Sequence, residues 1–413
     1  MGFDPSRCAP FDSYSLGSFC CLRKRSPFLS FRKLKKEKTE IKKKRIRLVV
    51  IIVTTMTLLA LALVAFFVFW NKPFATKLAL PSFEAAPYTP LPPTEIAPAD
   101  DGNSQNNDKL STLLVTPTPT LSPSELNLCN KTGTWTILAI GEDYRGDGGE
   151  YLYGLADVIR VIRVDFSTGS VSMLAIPRDL WVHIPELADR NIDYGKINQA
   201  YFFGTPGMGY YKRKGGGAGL LADTLFYNYG IFPDHYVVVS MNAFVQIVDA
   251  VGGIDITLDE PVDGNVEYKG ESDNAGYYSA GTHHFNGETA LKFSRIRFGY
   301  TELKRIDNET IILKALYDKM ISPEVRGKLL DVATLLLKKG TILTDLSPAD
   351  LAALICVATS IDRNNIKTTQ LPSDSFTGQT LFSPIQNGYT FAYVPDNQKV
   401  QKAIDDFKSG VWP

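Results

Sequence analysis

The chain has 413 residues, with 44 basic and 44 acidic side chains, so it carries no net formal charge. That length allows two domains, and the zero balance gives no support for a nucleic-acid partner. The charge is unevenly spread, however: residues 1–70 hold 14 Lys/Arg against 4 Asp/Glu, and the remainder is acidic. Most of the positive charge lies in 23–47, including Lys42-Lys43-Lys44-Arg45 and Arg47. Residues 48–70 follow without a single charge, long enough to cross a hydrocarbon layer of roughly 30 Å, with Trp70 at the interfacial end. The stretch is too long, and too far from Met1, for a cleaved signal peptide. The basic residues before it place the N-terminus in the cytoplasm and everything after Trp70 outside, with anionic lipid headgroups a sufficient partner for the tail. Residues 73–124 contain ten prolines and a run of small polar residues, a composition that favours an extended tether.

Globular patterning begins at Thr134. Residues 135–140 read as a strand, ending in Gly141-Glu-Asp143-Tyr-Arg145 and a glycine-rich loop to Gly154. Residues 156–179 read as a hairpin: two β-branched runs flank Ser167-Thr-Gly169. The first run, 158–164, is apolar except for Arg160 and Arg163, as expected of a central strand covered on both faces. Asp157 opens one strand and Arg178-Asp179 close the other, so an antiparallel hairpin makes them neighbours at one sheet edge. They form either a structural ion pair or half of a site for a metal-bound phosphate. Residues 189–211 read as loop. Lys212 to Gly219 is a glycine-rich approach to a helix over 220–229, either a solvated loop or a phosphate cradle. Further on, the pattern predicts strands over 235–239, 254–258 and 365–370, and helices over 242–250, 303–320, 324–339, 348–360 and 397–407. Strands alternating with helices predict an α/β fold, a three-layer α/β/α sandwich around a mixed β-sheet, preceded by one transmembrane helix.

Several chemistries are excluded. No Gly-x-Ser-x-Gly or Walker-type sequence is present, and none of His183, His235, His283 and His284 makes a zinc-binding His-Glu-x-x-His pair. The adjacent His283 and His284 read as a loop. What remains is a set of acids and arginines at strand ends and on one late helix: Asp143, Arg145, Asp157, Arg178, Arg295, Arg297 and Arg305. Arg295 and Arg297 are two apart, so in a strand both would face the same way. Carboxylates with several arginines suit a magnesium-bound pyrophosphate, because oxygen ligands hold the metal and guanidinium forks neutralise phosphate oxygens. A set of ordinary ion pairs is the alternative. Cys129 and Cys356 are the two cysteines beyond the span, either unrelated thiols or a disulfide from the start of the domain to a C-terminal helix.

In combination these segments resemble the LytR-CpsA-Psr family of membrane-anchored extracytoplasmic proteins. Gly141-Glu-Asp143-Tyr-Arg145 resembles its Gly-x-Asp-x-Arg. Leu174-Ala-Ile-Pro-Arg178-Asp179 resembles Ser-Ile-Pro-Arg-Asp-Thr, and Lys196-Ile-Asn-Gln-Ala-Tyr201 resembles Lys-Ile-Asn-x-Ala-Tyr. Asp234-His-Tyr-Val, Val248-Asp-Ala-Val-Gly-Gly-Ile254 and Asn286-Gly-Glu-Thr-Ala-Leu with Arg295-Ile-Arg297 follow in order. The resemblance implies a ligase that moves a glycopolymer from a polyprenyl-pyrophosphate carrier to peptidoglycan, with possible pyrophosphatase activity. The lipid would lie in an apolar tunnel between sheet and helices. Asp143 and Asp157 would bind Mg2+ or activate the acceptor hydroxyl, with Arg178 beside them. Arg145, Arg178, Arg295, Arg297 and Arg305 would hold the pyrophosphate. On this reading the chain divides into a basic cytoplasmic tail (1–47), a transmembrane helix (48–70), a proline-rich linker (71–132), the catalytic domain (133–320) and a helical C-terminal part packed on it (321–413).

The chain departs from the family pattern. Leu155-Ala-Asp157-Val158 stands where the family has Arg-Ser-Asp-Thr, and Asn308 and Glu309 stand where it has Arg and Gln. Glu302 takes the place of an aspartate, and Lys304 lies on the wrong side of its helix to replace a lost arginine. Two positive charges are therefore absent and one negative charge is added. That opens the alternative of a catalytically impaired module that binds polyprenyl phosphate or wall glycan.

Overall fold

The structure is a computed structural model, and it describes residues 28–86, 129, 131–144, 151–268, 271–297, 301–338, 341–383 and 387–411. Helix α1 (Phe28–Trp70) starts twenty residues before the charge-free stretch and runs unbroken through it. By length and composition it can cross a membrane. It lies almost wholly in a unit of its own; the rest of the chain, from Phe69 onward, is a second unit.

The first half of that second unit has β1 (Thr134–Glu142), β2 (Ala156–Asp165), β3 (Ser170–Ile176), β4 (Trp181–His183), β5 (Tyr194–Lys196), α2 (Ile197–Gly204) and α3 (Gly216–Tyr229). Then come β6 (His235–Ser240), α4 (Met241–Ala250), β7 (Ile254–Leu258), β8 (Val262–Asp263), β9 (Glu267–Tyr268), β10 (Glu271–Ser272), β11 (Tyr277–Tyr278), β12 (Gly281–Phe285) and α5 (Gly287–Ser294). The remainder has α6 (Glu302–Ile321), α7 (Leu329–Lys338), β13 (Ile342–Thr344), α8 (Pro348–Ser360), β14 (Ile366–Gln370), β15 (Phe376–Ser383), β16 (Gly388–Pro395) and α9 (Asn397–Ser409).

Six strands form one mixed sheet in the order β13-β6-β1-β2-β3-β14. β2 pairs antiparallel with both β1 and β3, while β1–β6 and β3–β14 are parallel. The sheet is covered on both sides, as the nearly continuous apolar character of β2 predicts. On one face Leu138, Val161 and Leu174 pack with Tyr201, Leu220, Leu225 and Ile404. On the other, Ile137, Val164 and Phe166 pack with Ala353 and Val357 of α8, and α4 to α7 enclose a second core around Ile254, Phe285, Phe293 and Ile312. The α/β/α expectation therefore holds. Cys129 and Cys356 form a disulfide, which ties the start of the domain to α8.

Several local readings change. Residues 189–211 are not all loop: 197–204 form α2, whose first turn is closed by the Gln199 side chain accepting from the Lys196 N–H at 3.0 Å. The glycine run 212–219 is loop only as far as Gly215, the N-cap of α3. It opens α3 and lets α3 lie against α2; a Cβ on Gly217 would come 2.7 Å from the Tyr201 carbonyl oxygen, and one on Gly204 2.6 Å from that of Gly216. His283 and His284 sit on β12, paired with β7, with His284 Nδ1 2.7 Å from Asp255. Arg295 and Arg297 are not on a strand. Arg295 caps the C-terminus of α5, and Arg297 is in the loop beyond. The helix expected from 324 begins at Leu329. The hairpin β15–β16 occupies a stretch where the sequence pattern predicts no element.

Residues 74–86, read as part of a tether, lie on the domain. The Phe74 N–H bonds to the Leu346 carbonyl at 3.1 Å, the Tyr236 hydroxyl to the Thr76 carbonyl at 3.0 Å, and Phe83 packs on Phe226 and Tyr227. Ala75 and Leu78 join the main core. The threonine- and proline-rich part of the expected tether, the first 27 residues and Cys8, Cys20 and Cys21 lie outside the described residues.

Candidate functional site

The Gly141-Glu142-Asp143 segment ends β1, and the β1–β2 register shifts between Gly141 and Glu142. Past that shift the loop is closed by a reciprocal pair: the Asp143 N–H donates to the Leu155 carbonyl at 3.1 Å, and the Leu155 N–H donates to Asp143 Oδ1 at 2.7 Å. Leu155 thus serves Asp143 through its backbone. Asp157, the second residue of β2, comes two residues later, and Arg178 follows β3, which brings Arg178 Nη1 to 2.8 Å from Asp157 Oδ2. The hairpin-end pairing is as the sequence predicts. The Lys-Ile-Asn segment joins the same edge, with Lys196 Nζ 2.8 Å from Asp179 Oδ1.

α6 completes the charged end. Arg178 Nε lies 3.6 Å from Glu302. Arg305 is buried; its Nε donates to Glu302 at 2.9 Å, its Nη2 to the Asp157 carbonyl at 2.9 Å, and its Nη1 pairs with Glu309. Lys304 turns away to Glu260, 2.8 Å off. Arg295 reaches Met241 Sδ at 3.0 Å, and Arg297 Nε is 3.7 Å from Asp273. Arg145 lies outside the described residues.

Two further residues belong to this place. Arg160, on β2, is 2% exposed and points under α6, where its Nη2 is 3.2 Å from Glu309 and its Nη1 3.0 Å from Thr310. Glu309 is therefore bridged by two guanidiniums, and its negative charge is balanced in part from β2. Burial pushes the Glu309 carboxyl up, while Arg305 and Arg160 pull it down. Asn308 is buried and does not line the cavity described below. The visible signal for Arg160 is a charge inside an otherwise apolar strand.

The second residue is Glu142, which is 2% exposed. Burial pushes its carboxyl up to about 8, and the hydroxyl of Tyr201, approaching without a well-formed hydrogen bond, offsets only part of that. Between the ordinary value of 4.5 and about 8 the folded chain holds a proton that the unfolded chain has lost. The associated stability is complete below 4.5 and disappears as pH rises through about 8. Glu142→Gln should therefore raise the thermal midpoint relative to the parent at pH 9 and not at pH 4. A tenfold change in acid constant is worth about 1.4 kcal/mol, so the difference at pH 9 is on the order of a few kcal/mol. An equal difference at both pH values would contradict it.

Asp143 is also raised, first by burial and further by Asp157, against the Leu155 N–H, Arg295 and Arg178. Among the described residues no cluster of three or more His, Cys, Asp or Glu side chains stands ready to hold a metal.

A cavity of about 830 Å³ runs inward from these groups. Asp143, Asp157, Arg178, Arg295, Arg297 and Arg305 line it at one end; Ile162, Met173, Val237, Phe244, Ile312 and Leu316 line its interior between the sheet and helices α4 and α6. The α/β domain thus holds a cavity with a charged end and largely apolar walls behind it, chemistry that suits an amphiphile with an anionic head. The chain belongs to the LytR_cpsA_psr family, which matches residues 100–408. It is 28% identical over 285 residues to the polyisoprenyl-teichoic acid–peptidoglycan teichoic acid transferase TagV of Bacillus subtilis (strain 168), covering 67% of this chain and 65% of that protein. It is 26% identical over 289 residues to the transferase TagU of Enterococcus faecalis (strain ATCC 700802 / V583), covering 69% and 82%. The crystal structure of B. subtilis TagV aligns with a TM-score of 0.51 at 26% identity, over 68% of this chain and 99% of that one.

Proposed function

We propose that this protein transfers a glycopolymer from a polyprenyl-pyrophosphate carrier to peptidoglycan, anchored by α1 with its N-terminus in the cytoplasm and its domain outside. The observation that carries the reading is the cavity with arginines and carboxylates at one end and apolar walls behind them. TagV and TagU, by their names, act between a polyisoprenyl-linked teichoic acid and peptidoglycan. In this chain the carrier lipid would occupy the apolar interior, and Arg178, Arg295, Arg297 and Arg305 would neutralise the pyrophosphate oxygens. The acceptor hydroxyl attacks the sugar-bearing phosphorus. A new P–O bond forms as the bridging P–O bond of the pyrophosphate breaks, polyprenyl phosphate leaves, and the hydroxyl proton passes to a carboxylate of the Asp143–Asp157 pair. Water in place of the acceptor gives pyrophosphatase activity.

The residues fit a magnesium ion. Asp143 and Asp157 offer oxygen donors only, and the Asp157 charge pushes Asp143 up, an opposition that a cation between them would relieve. Two carboxylates plus substrate phosphates is an ordinary ligand set for Mg2+, which would supply further neutralisation of the phosphate charge.

The test uses the full chain in detergent, because residues 74–86 pack on the domain. A polyprenyl-pyrophosphate-linked oligosaccharide is incubated with soluble peptidoglycan glycan, with and without magnesium, and products are followed by mass spectrometry. Transfer that requires magnesium and fails in Asp143→Asn is expected. Lipid that is retained but never turned over would replace the transferase with the binding module.

A further inference from the structure

The β15–β16 hairpin carries a feature that the lipid cavity does not use. Its two faces differ. Leu381 and Ala392 are buried against Trp181, with Val394 packed alongside. Phe382, Tyr389, Phe391 and Tyr393 stand on the opposite face by the strand alternation. Phe382, Tyr389 and Phe391 are 44%, 76% and 49% exposed. The hairpin is fastened to the charged site: the Tyr393 N–H donates to the Asp179 carbonyl at 2.9 Å, and Tyr393 bridges to Leu180. The Phe391 ring rests on bare backbone, since a Cβ on Gly378 would come within 2.8 Å of it. That contact fixes the ring while leaving about half of the residue open to water.

A second cavity, of about 380 Å³, joins Phe391 and Tyr393 to Arg178, Asp179, Arg297 and Glu302. Arg178 and Arg297 are shared with the first cavity, so the two spaces adjoin at those residues. In phosphoryl transfer the attacking and leaving oxygens are roughly in line across the phosphorus. With the leaving lipid phosphate in the first cavity, the attacking hydroxyl enters from the second. Aromatic rings rimmed by carboxylates and guanidiniums suit a pyranose, whose C–H face stacks on the rings and whose hydroxyls meet the rim.

We propose that Phe391 and Tyr393 form the acceptor subsite, where a sugar of the peptidoglycan glycan strand stacks and presents its hydroxyl to the phosphate held between Arg178 and Arg297. This rests on the transferase reading. Its test separates the two. The full chain is titrated with a soluble peptidoglycan tetrasaccharide and followed by saturation-transfer NMR, with no donor present. The parent chain and Phe391→Trp should bind, and Phe391→Ala should lose the signal. In turnover, Phe391→Ala should raise the acceptor KM about tenfold or more, the scale of a lost aromatic contact, with donor KM and donor hydrolysis unchanged. Tyr389→Ala, on the same face but outside the cavity, should leave the acceptor KM unchanged. The parent thermal midpoint in Phe391→Ala checks the fold, and Thr301→Trp, which fills the same cavity from α6's N-cap position, gives a second loss of binding independent of that variant. Unchanged glycan binding and acceptor KM in Phe391→Ala would overturn the subsite, as would a shift in donor KM instead. Tetrasaccharide binding that depends on Phe391 in a chain that transfers nothing would keep the subsite and remove the transferase.

Discussion

Arg295→Ala should lower transfer from a polyprenyl-pyrophosphate donor about a thousandfold, with folding stability changed by no more than about 0.5 kcal/mol. The two expectations are separable because of where Arg295 sits. It caps α5, its residue is exposed, and it lines the charged end of the larger cavity described above. Truncation there removes no core packing. Its charge acts on Asp143, whose carboxyl it pulls down against burial. Arg178 and Arg305 lie deeper, half-buried and buried. Each is bound by carboxylates of the chain, Asp157 and Glu302 for one, Glu302 and Glu309 for the other. A fork so held is pre-oriented but partly neutralised, and its loss would disturb the wall as well as the phosphate. Arg295, being exposed, can be removed without that disturbance, and Arg297→Ala, with Arg297 beside Asp273, should follow it with a smaller effect. The measurement is a single-turnover time course by mass spectrometry, with the thermal midpoint taken on the same samples. Parent-like turnover in Arg295→Ala would place the transferred phosphate elsewhere in the cavity.

Much of this site is legible in the sequence because its parts are local. A hairpin brings its open ends together whatever surrounds it, so Asp157 and Arg178 can be paired from the order of two strands and a turn. The cysteine pair can be posed but not decided, since 227 residues separate Cys129 from Cys356 and nothing local brings them together. Arg160 shows the same limit. Strand alternation puts it on the face opposite Ile159 and Val161, but its partner Glu309 is 149 residues away on a helix whose placement no pattern predicts. Composition misleads in two places. Glycines at 215–219 read as loop because a missing side chain suggests freedom, whereas the helices α2 and α3 need that absence to touch. Residues 74–86 read as tether because a proline-rich sequence comes directly after them, while Phe74, Leu78 and Phe83 among them are anchors. Arg295 and Arg297 belong to the site as the sequence suggests, but for a different reason, since they project from a helix end and a loop rather than from a strand.

Glu309→Ala should cost about 3–5 kcal/mol of folding stability, the usual consequence of removing one partner from a buried ion pair. The carboxylate lies between Arg160 and Arg305, both almost fully buried, and without it two guanidiniums face each other with little water to screen them. The penalty is then mostly that of the charges left behind, which predicts how it can be recovered. Arg160→Met combined with Glu309→Leu removes a cation along with the anion and puts apolar groups of similar length between β2 and α6. That double variant should regain most of the lost stability, and a double-mutant cycle by denaturant unfolding measures the coupling. A loss under about 1 kcal/mol in Glu309→Ala alone would mean that burial has left the carboxyl protonated and that no ionic bridge exists. The cycle also bears on what a glutamate at this position does to an anion site. It would weaken such a site if it stood alone. Here β2 supplies Arg160 to meet it, so its charge is held inside the wall and Arg305 keeps its place at the end of the cavity.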